Sequence, residues 1–143
     1  MTDTPTLDPA IDTKIRASFG AQSMMQTMGA AIIGTGPGRV VIAAEAAPHL
    51  RQQQGYSHAA LAFAIADSAA GYAALSVMPP EAEVLSVELK INLLSPGSGR
   101  LVAEGGVIKP GRGRVIVAAD VWAEEPDQPR RHVAALQGTM IPV

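Results

Sequence analysis

The stretch GYSHAALAFAIADSAAGYAALSV, residues 55 to 77, is almost wholly apolar and rich in alanine, and the MPPE that follows at 78 to 81 cannot continue a helix. It predicts one long helix, with Ser57 placed to cap its start. A helix without a polar face has to be enclosed. Asp67, Ser68 and the many alanines argue against a membrane span and for burial by protein. The fold must therefore supply a wrapping for this segment and a reason for the single carboxylate at its middle.

The chain has 143 residues, 48% hydrophobic and 17% charged, the size and composition of one packed domain. We read 1–143 as that domain, with 1–28 as an N-terminal helical segment and 29–143 as the core. A chain of this length buries roughly 68 to 70% of its unfolded surface, so no staple is required. There is no cysteine, which removes thiol nucleophiles, disulfides and Cys-ligated zinc and suits a reducing compartment. The start MTDTPTLDPAIDT lacks the basic and apolar regions of a secretory signal, so a cytoplasmic location is expected. A net charge of −2 with 3% aromatics offers neither nucleic acid nor an anionic membrane a general attraction.

Ile11, Ile15 and Phe19 recur at four-residue steps and predict an amphipathic N-terminal helix, followed by Met24, Met25 and Met28. GTGPG at 34 to 38 reads as a hairpin turn between AAII and RVVIAAEA; it lacks the context of a phosphate-binding loop. Residues 47 to 57 are polar and punctuated by Pro48 and Gly55, hence a loop. Beyond the long helix, residues 84 to 94 alternate, with Leu85, Val87, Leu89, Ile91 and Leu93 on one face and Ser86, Glu88, Lys90 and Asn92 on the other. Turns at SPGSG, KPGRG and EEPDQPRR lead into further strands at 100–108, 114–123 and 132–141, a four-strand meander. An antiparallel sheet of about six strands needs one face covered, and the long helix is the only sufficiently apolar partner. The expected class is α+β: a curved sheet wrapped around one central helix, with an extra N-terminal helix, which is the plan of the hot-dog fold.

An ionised carboxylate in apolar surroundings must find donors, meet a cation, face a wet cleft or protonate. Asp67 has no rescue on its own helix, because its neighbours three and four residues away are Ala64, Ala70, Phe63 and Gly71. It is either a buried aspartate satisfied by an adjacent strand or a reactive group facing a pocket. The start of the helix, near His58, offers backbone N–H groups at Ala59 and Ala60 and a positive dipole end for an oxygen that becomes negative during a reaction. Asp67 lies nine residues beyond His58, about 13.5 Å along the axis and about 180° around it. If one reaction uses both, a second copy of the helix must run antiparallel to the first, making the catalytic unit a two-fold dimer.

Gln52, Gly55, His58-Ala59-Ala60, Asp67 followed by SAAG, and SVELKINLLSPG at 86 to 97 together resemble the PaaI-type hot-dog thioesterases, from about residue 40 onward. Those enzymes carry an Asn, a Gly, a His-Gly-Gly and a catalytic Asp at the same spacing, followed by a strand of SVELKINFLRPG type. The resemblance implies hydrolysis of an acyl-CoA by a homodimer or dimer of dimers, without metal or bound cofactor. Asp67 would be general base or nucleophile, the Ala59 N–H the donor to the thioester carbonyl, and Gln52 the group that orients water or carbonyl. His58 would support that loop and Ser86 would sit beside the attacking water, although alternation puts Ser86 on the polar strand face. Gly55, Ala60 and Ser68 fall among the substrate-binding positions. The chain departs from the family in having Ala59 and Ala60 where glycines are usual, and Gln52 in place of Asn. The departures motivate an alternative, a hot-dog protein that binds acyl-CoA without cleaving it; a dehydratase acting on a hydroxyacyl thioester is a third reading.

KPGRGR at 109 to 114 is either a solvated turn or a cationic tab in which Arg112 and Arg114 grip the phosphates of coenzyme A, with Lys90 a weaker candidate for that task. GYSHA also matches a nucleophile elbow at Ser57, with Asp67 and His132 available as partners, but no buried strand precedes it. His49, His58 and His132 have no metal-ligand spacing, and His49 and His132 are read as surface or loop residues. Which of the small residues Ala62, Ala66 and Ala70 line a groove is not legible, so the acyl group is left open.

Overall fold

The computed structural model describes residues 5–143. Helix α1 (Pro9–Gly20) and a short α2 (Ser23–Thr27) lead into strands β1 (Ala31–Gly36) and β2 (Arg39–Glu45), and the central helix α3 (Ala59–Leu75) follows. Strands β3 (Val84–Leu93), β4 (Arg100–Lys109), β5 (Val115–Glu124) and β6 (Arg131–Pro142) complete one antiparallel sheet. Its spatial order is β1-β2-β4-β5-β6-β3. Twelve of the seventeen residues of α3 are buried. They pack on the inward side chains Val40, Ile42, Leu101, Ala103, Val117, Ala119, Val121, Leu136 and Met140, as a helix with no polar stripe requires. No helix among the described residues is long and apolar enough to cross a membrane.

The six strands and the wrapped helix agree with the sequence reading, but the four-strand meander does not. β4, β5 and β6 do follow one another, whereas β3 crosses to the far edge and, among the described residues, pairs only with β6, leaving β4 to pair with β2. The SPGSG segment is thus a crossover and not a hairpin turn. Gly97 packs against Ser57, where a Cβ would lie 2.4 Å from its hydroxyl, and Gly99 adopts a left-handed φ of 70°. Periodicity identifies a strand; it does not name the strand's neighbour.

The alanines of α3 let the sheet come close. At Gly105 of β4 an added Cβ would stand 2.3 Å from the Ala69 backbone carbon, so only glycine permits the contact. Gly71, on the same helix, has no such crowding: the nearest atom to a Cβ there is the Met140 methyl at 3.8 Å.

Helix α1 is capped by Asp8, whose side chain accepts from the Ala10 N–H at 2.8 Å. Ile15 is fully buried in the core, with Ile11 and Phe19 packed beside it. Polar ties hold the rest. Lys14 Nζ donates to the carbonyls of Pro80 and Ala82, and Asp12 accepts from Thr35 Oγ1 at 2.7 Å and from Arg16 Nε at 2.9 Å. The Thr35 hydroxyl first, and Arg16 second, hold the Asp12 carboxyl below the ordinary carboxylate range.

Gly105→Ala should cost about 1–3 kcal/mol or more by overpacking and lower the midpoint of thermal unfolding, while Gly71→Ala should raise stability by up to about 1 kcal/mol through helix propensity. For Asp12 the folded pKa is depressed, so its stabilisation is present above the ordinary carboxylate range and is lost as pH falls through the folded value. Asp12→Asn should therefore be less stable than the parent at neutral pH, and denaturation midpoints measured along an acid titration should converge.

Candidate active site

The loop before α3 is laced from within. Gln52 N–H donates to the Tyr56 carbonyl at 2.8 Å, Gly55 N–H to the Gln52 carbonyl at 3.0 Å, and Gly55 has a left-handed φ of 91°. The Gln52 side-chain oxygen accepts from the N–H groups of Gln54 at 2.6 Å and Tyr56 at 3.3 Å. Gln52 is thus a brace for the loop, and its Nε2, which donates to Gln54 Oε1 at 3.2 Å, retains a second N–H.

Ser57 does not cap α3. It is buried, its N–H donates to the Gly97 carbonyl at 2.9 Å, and the N-cap is His58, whose Nδ1 accepts from the Ala60 N–H at 2.9 Å. With Nδ1 accepting, Nε2 is the ring nitrogen left to donate. This changes the inventory of the helix start. The Ala60 N–H is already used, whereas the Ala59 N–H has no acceptor among the described residues. Ala59 lines an opening of about 440 Å³ together with Gln52, Tyr56, Ala62, Leu93 and Leu94. Ala60 and His58 face a separate recess beside Met28 and Leu50.

Asp67 lies half-buried in the middle of α3 and accepts a hydrogen bond from Ser86 Oγ at 2.6 Å. Simple alternation puts Ser86 on the other side of the strand; a bulge at Val87 resolves the difference. Ser86 pairs with Met140 and Leu89 with Gly138, both inward positions of β6, so one extra residue between them resets the phase. Upstream of the bulge Val84 and Ser86 face α3, and downstream Leu89 and Ile91 do. Leu85 and Val87, expected inside, are each 56% exposed. Gly138 allows the irregularity, because a Cβ there would meet the Glu88 carbonyl oxygen at 2.4 Å.

Around Asp67 is a second opening of about 280 Å³, whose walls include Ser68, Tyr72, Glu83, Ser86 and Met140. It shares no residue with the opening at Ala59. Ala59 and Asp67 are eight residues, about 12 Å, apart along one helix. Between the two openings runs edge strand β3, with Leu85 beside one and Leu93 and Leu94 beside the other. Leu85, Val87 and Leu93 on this strand, and Leu94 just after it, are exposed apolar side chains.

The other candidates stand apart. Lys90 projects from the outer face of the sheet, next to Glu88 and Asn92 and away from α3. Arg112 and Arg114 are exposed between β4 and β5, near the end of the sheet where the β1–β2 turn meets Ser76 at the close of α3, and line neither opening. His132 stacks on Trp122 with ring centroids 4.4 Å apart and bonds Asp120 at 2.8 Å, so Ser57, Asp67 and His132 do not assemble a triad. His49 Nε2 is 3.2 Å from the Thr27 carbonyl oxygen. The sequence reading missed Ser18, Gln22, Tyr72 and Glu83 in the Asp67 opening. Tyr72 carried a usable signal, since a hydroxyl inside an apolar helix needs a partner.

The thioesterase superfamily model matches residues 54–129. Among solved structures, a thioesterase family protein from Silicibacter pomeroyi is 38% identical over 93% of this chain and 98% of its own, with a TM-score of 0.89. The E. coli PaaI protein from the phenylacetic acid degradation operon is 19% identical over 96% of each chain, with a TM-score of 0.85. A thioesterase from Haemophilus influenzae is 18% identical over 92% of this chain and 89% of its own, with a TM-score of 0.80. At those identities the last two speak for the fold alone. No curated protein matches significantly. The family model, the Silicibacter pomeroyi relative and the wrapped central helix agree: this chain belongs to the thioesterase superfamily and has the hot-dog fold.

Proposed function

We propose that the protein is a cytoplasmic acyl-CoA thioesterase whose sites are completed across a homodimer. The observation that carries this reading is the division of the machinery. The carboxylate and the available helix-start N–H occupy separate openings of one chain, on either side of an unpaired, apolar strand edge. Two copies joined antiparallel along β3 would bring the Ala59 opening of one to the Asp67 opening of the other.

In that arrangement the Ala59 N–H donates to the thioester carbonyl oxygen and stabilises the negative charge that develops there. Ser86 holds Asp67 Oδ1, leaving Oδ2 to take a proton from water as the water oxygen attacks the carbonyl carbon. The C–S bond then breaks, coenzyme A leaves as the thiolate, and the proton passes to sulfur as the free acid departs. Attack by Asp67 itself, through an anhydride opened by water, uses the same geometry. The free N–H of Gln52 Nε2 is available to the carbonyl or the water, and His58 acts through the helix cap. Lys90, Arg112 and Arg114 line neither opening of their own chain, and the chemical steps above use none of them.

A second reading, binding without hydrolysis, draws on Gln52, whose side-chain oxygen is consumed by its own loop. Thiol release from a panel of acyl-CoAs separates the two, and a dehydratase would convert substrate without releasing thiol.

Asp67→Asn preserves the shape and the Ser86 contact, and should lower kcat by about 10²–10⁴ with unfolding unchanged; undiminished turnover would refute the assignment. Ala59→Pro is a sharper probe. Proline is tolerated at the first helical position, and His58 already has the extended conformation, φ −63° and ψ 141°, that a following proline requires. The variant should fold normally and lose about 10²–10³ in kcat with the missing donor. Mixing the two inactive variants should restore about a quarter of the parent activity, because half of the dimers are mixed and each mixed dimer has one intact site. A monomer in solution, or no restoration, would show that the site is not shared.

A further inference from the structure

The Asp67 opening has a polar far wall that the proposed hydrolysis does not use. The opening holds about 280 Å³ in one chain. Tyr72, 4% exposed, accepts from Gln22 Nε2 at 2.7 Å and shares a hydrogen bond with Ser18 Oγ at 3.0 Å. Both partners come from α1 and the residues just after it, which Lys14, Ile15 and the edge-on Phe19–Tyr72 contact hold in place. Gln22 Oε1 has no donor among the described residues. Tyr72 is five residues from Asp67, about 7.5 Å along α3 and about 140° around it, and the two line one opening with Ser18 and Gln22, so a short acyl group with its carbonyl at Asp67 can end against hydroxyl and amide groups. Glu83 lines the same opening as Asp67, and two carboxylates oppose a third brought in by a ligand.

We infer that Ser18, Gln22 and Tyr72 determine acyl specificity, selecting a short, uncharged acyl group that ends in a hydrogen-bonding group such as a hydroxyl. This rests on the reading of the Asp67 opening as the acyl site. The wall excludes long alkyl chains by position, and a methyl-ended chain would cover Gln22 Oε1, the acceptor that the Ser18–Tyr72–Gln22 network leaves over, where a terminal hydroxyl would donate to it.

The test is calorimetric titration of the full chain with non-hydrolysable ketone analogues of 4-hydroxybutyryl-, pentanoyl-, succinyl- and decanoyl-CoA. The hydroxyl-ended analogue should bind about tenfold more tightly than its methyl-ended isostere, and the carboxylate-ended and long-chain analogues more weakly still. Gln22→Leu combined with Tyr72→Phe should abolish that preference, so that the hydroxyl- and methyl-ended analogues bind within about twofold of each other. Gln22→Leu alone serves the same purpose should the double variant lose its cooperative thermal transition. Equal binding of the hydroxyl- and methyl-ended analogues, tighter binding of the decanoyl analogue, no binding at all, or a preference surviving in the variants overturns the proposal. Thiol release from the corresponding thioesters is measured separately. Selective binding without release keeps this assignment and sinks the thioesterase reading, and release without selectivity does the reverse.

Discussion

The close seating of α3 on its sheet is the contact on which the rest of the molecule depends. Alanines on the helix and Gly105 on β4 let the two backbones approach until no β-carbon fits between them. A sheet drawn in so tightly curves around the helix, but it has edges, and the β3 edge leaves one flank of α3 incompletely covered. Asp67 lies on that flank. A carboxylate too costly for the enclosed part of the helix is stable where water and the Ser86 hydroxyl reach it, so the position of the acid follows from the geometry of the wrapping.

The start of α3 is governed by a different economy of hydrogen bonds. Four N–H groups at a helix start lack intrahelical partners, and here the imidazole of His58 takes one while Ala59 keeps another free. The preceding loop is stiffened by its own Gln52 and anchored through Ser57 to Gly97, so the free donor belongs to a fixed frame. Preorganisation of that kind lets a backbone N–H stabilise developing charge without a reorganisation cost.

Much of this was legible in the residues, and the failures have physical causes. The central helix, the six strands and the amphipathic α1 could be read because burial imposes periods of 3.6 and 2. The place of β3 could not, because alternation marks a strand without naming its partner. Ser86 was put on the wrong face because a bulge leaves no compositional trace at Val87; the telling residue, Gly138, lies some fifty positions away on another strand. Ser57 looked like a cap and His58 did not, since the anchoring of Ser57 on Gly97 is a tertiary fact. Asp67 was conspicuous as the one acid in an apolar run. Ser18 and Gln22 were invisible because nothing local marks them as neighbours of Tyr72.

The bulge also bears on how relatives of this chain are compared. Residues on its two sides obey opposite parity rules for facing the helix, and the join between them is one amino acid long. Removing that amino acid would look, in an alignment, like a harmless gap in an exposed strand, yet it would rotate the serine away from the acid and turn an aliphatic side chain toward it. Divergence of activity among such proteins can therefore be written as a change of length, with every conspicuous side chain still in place.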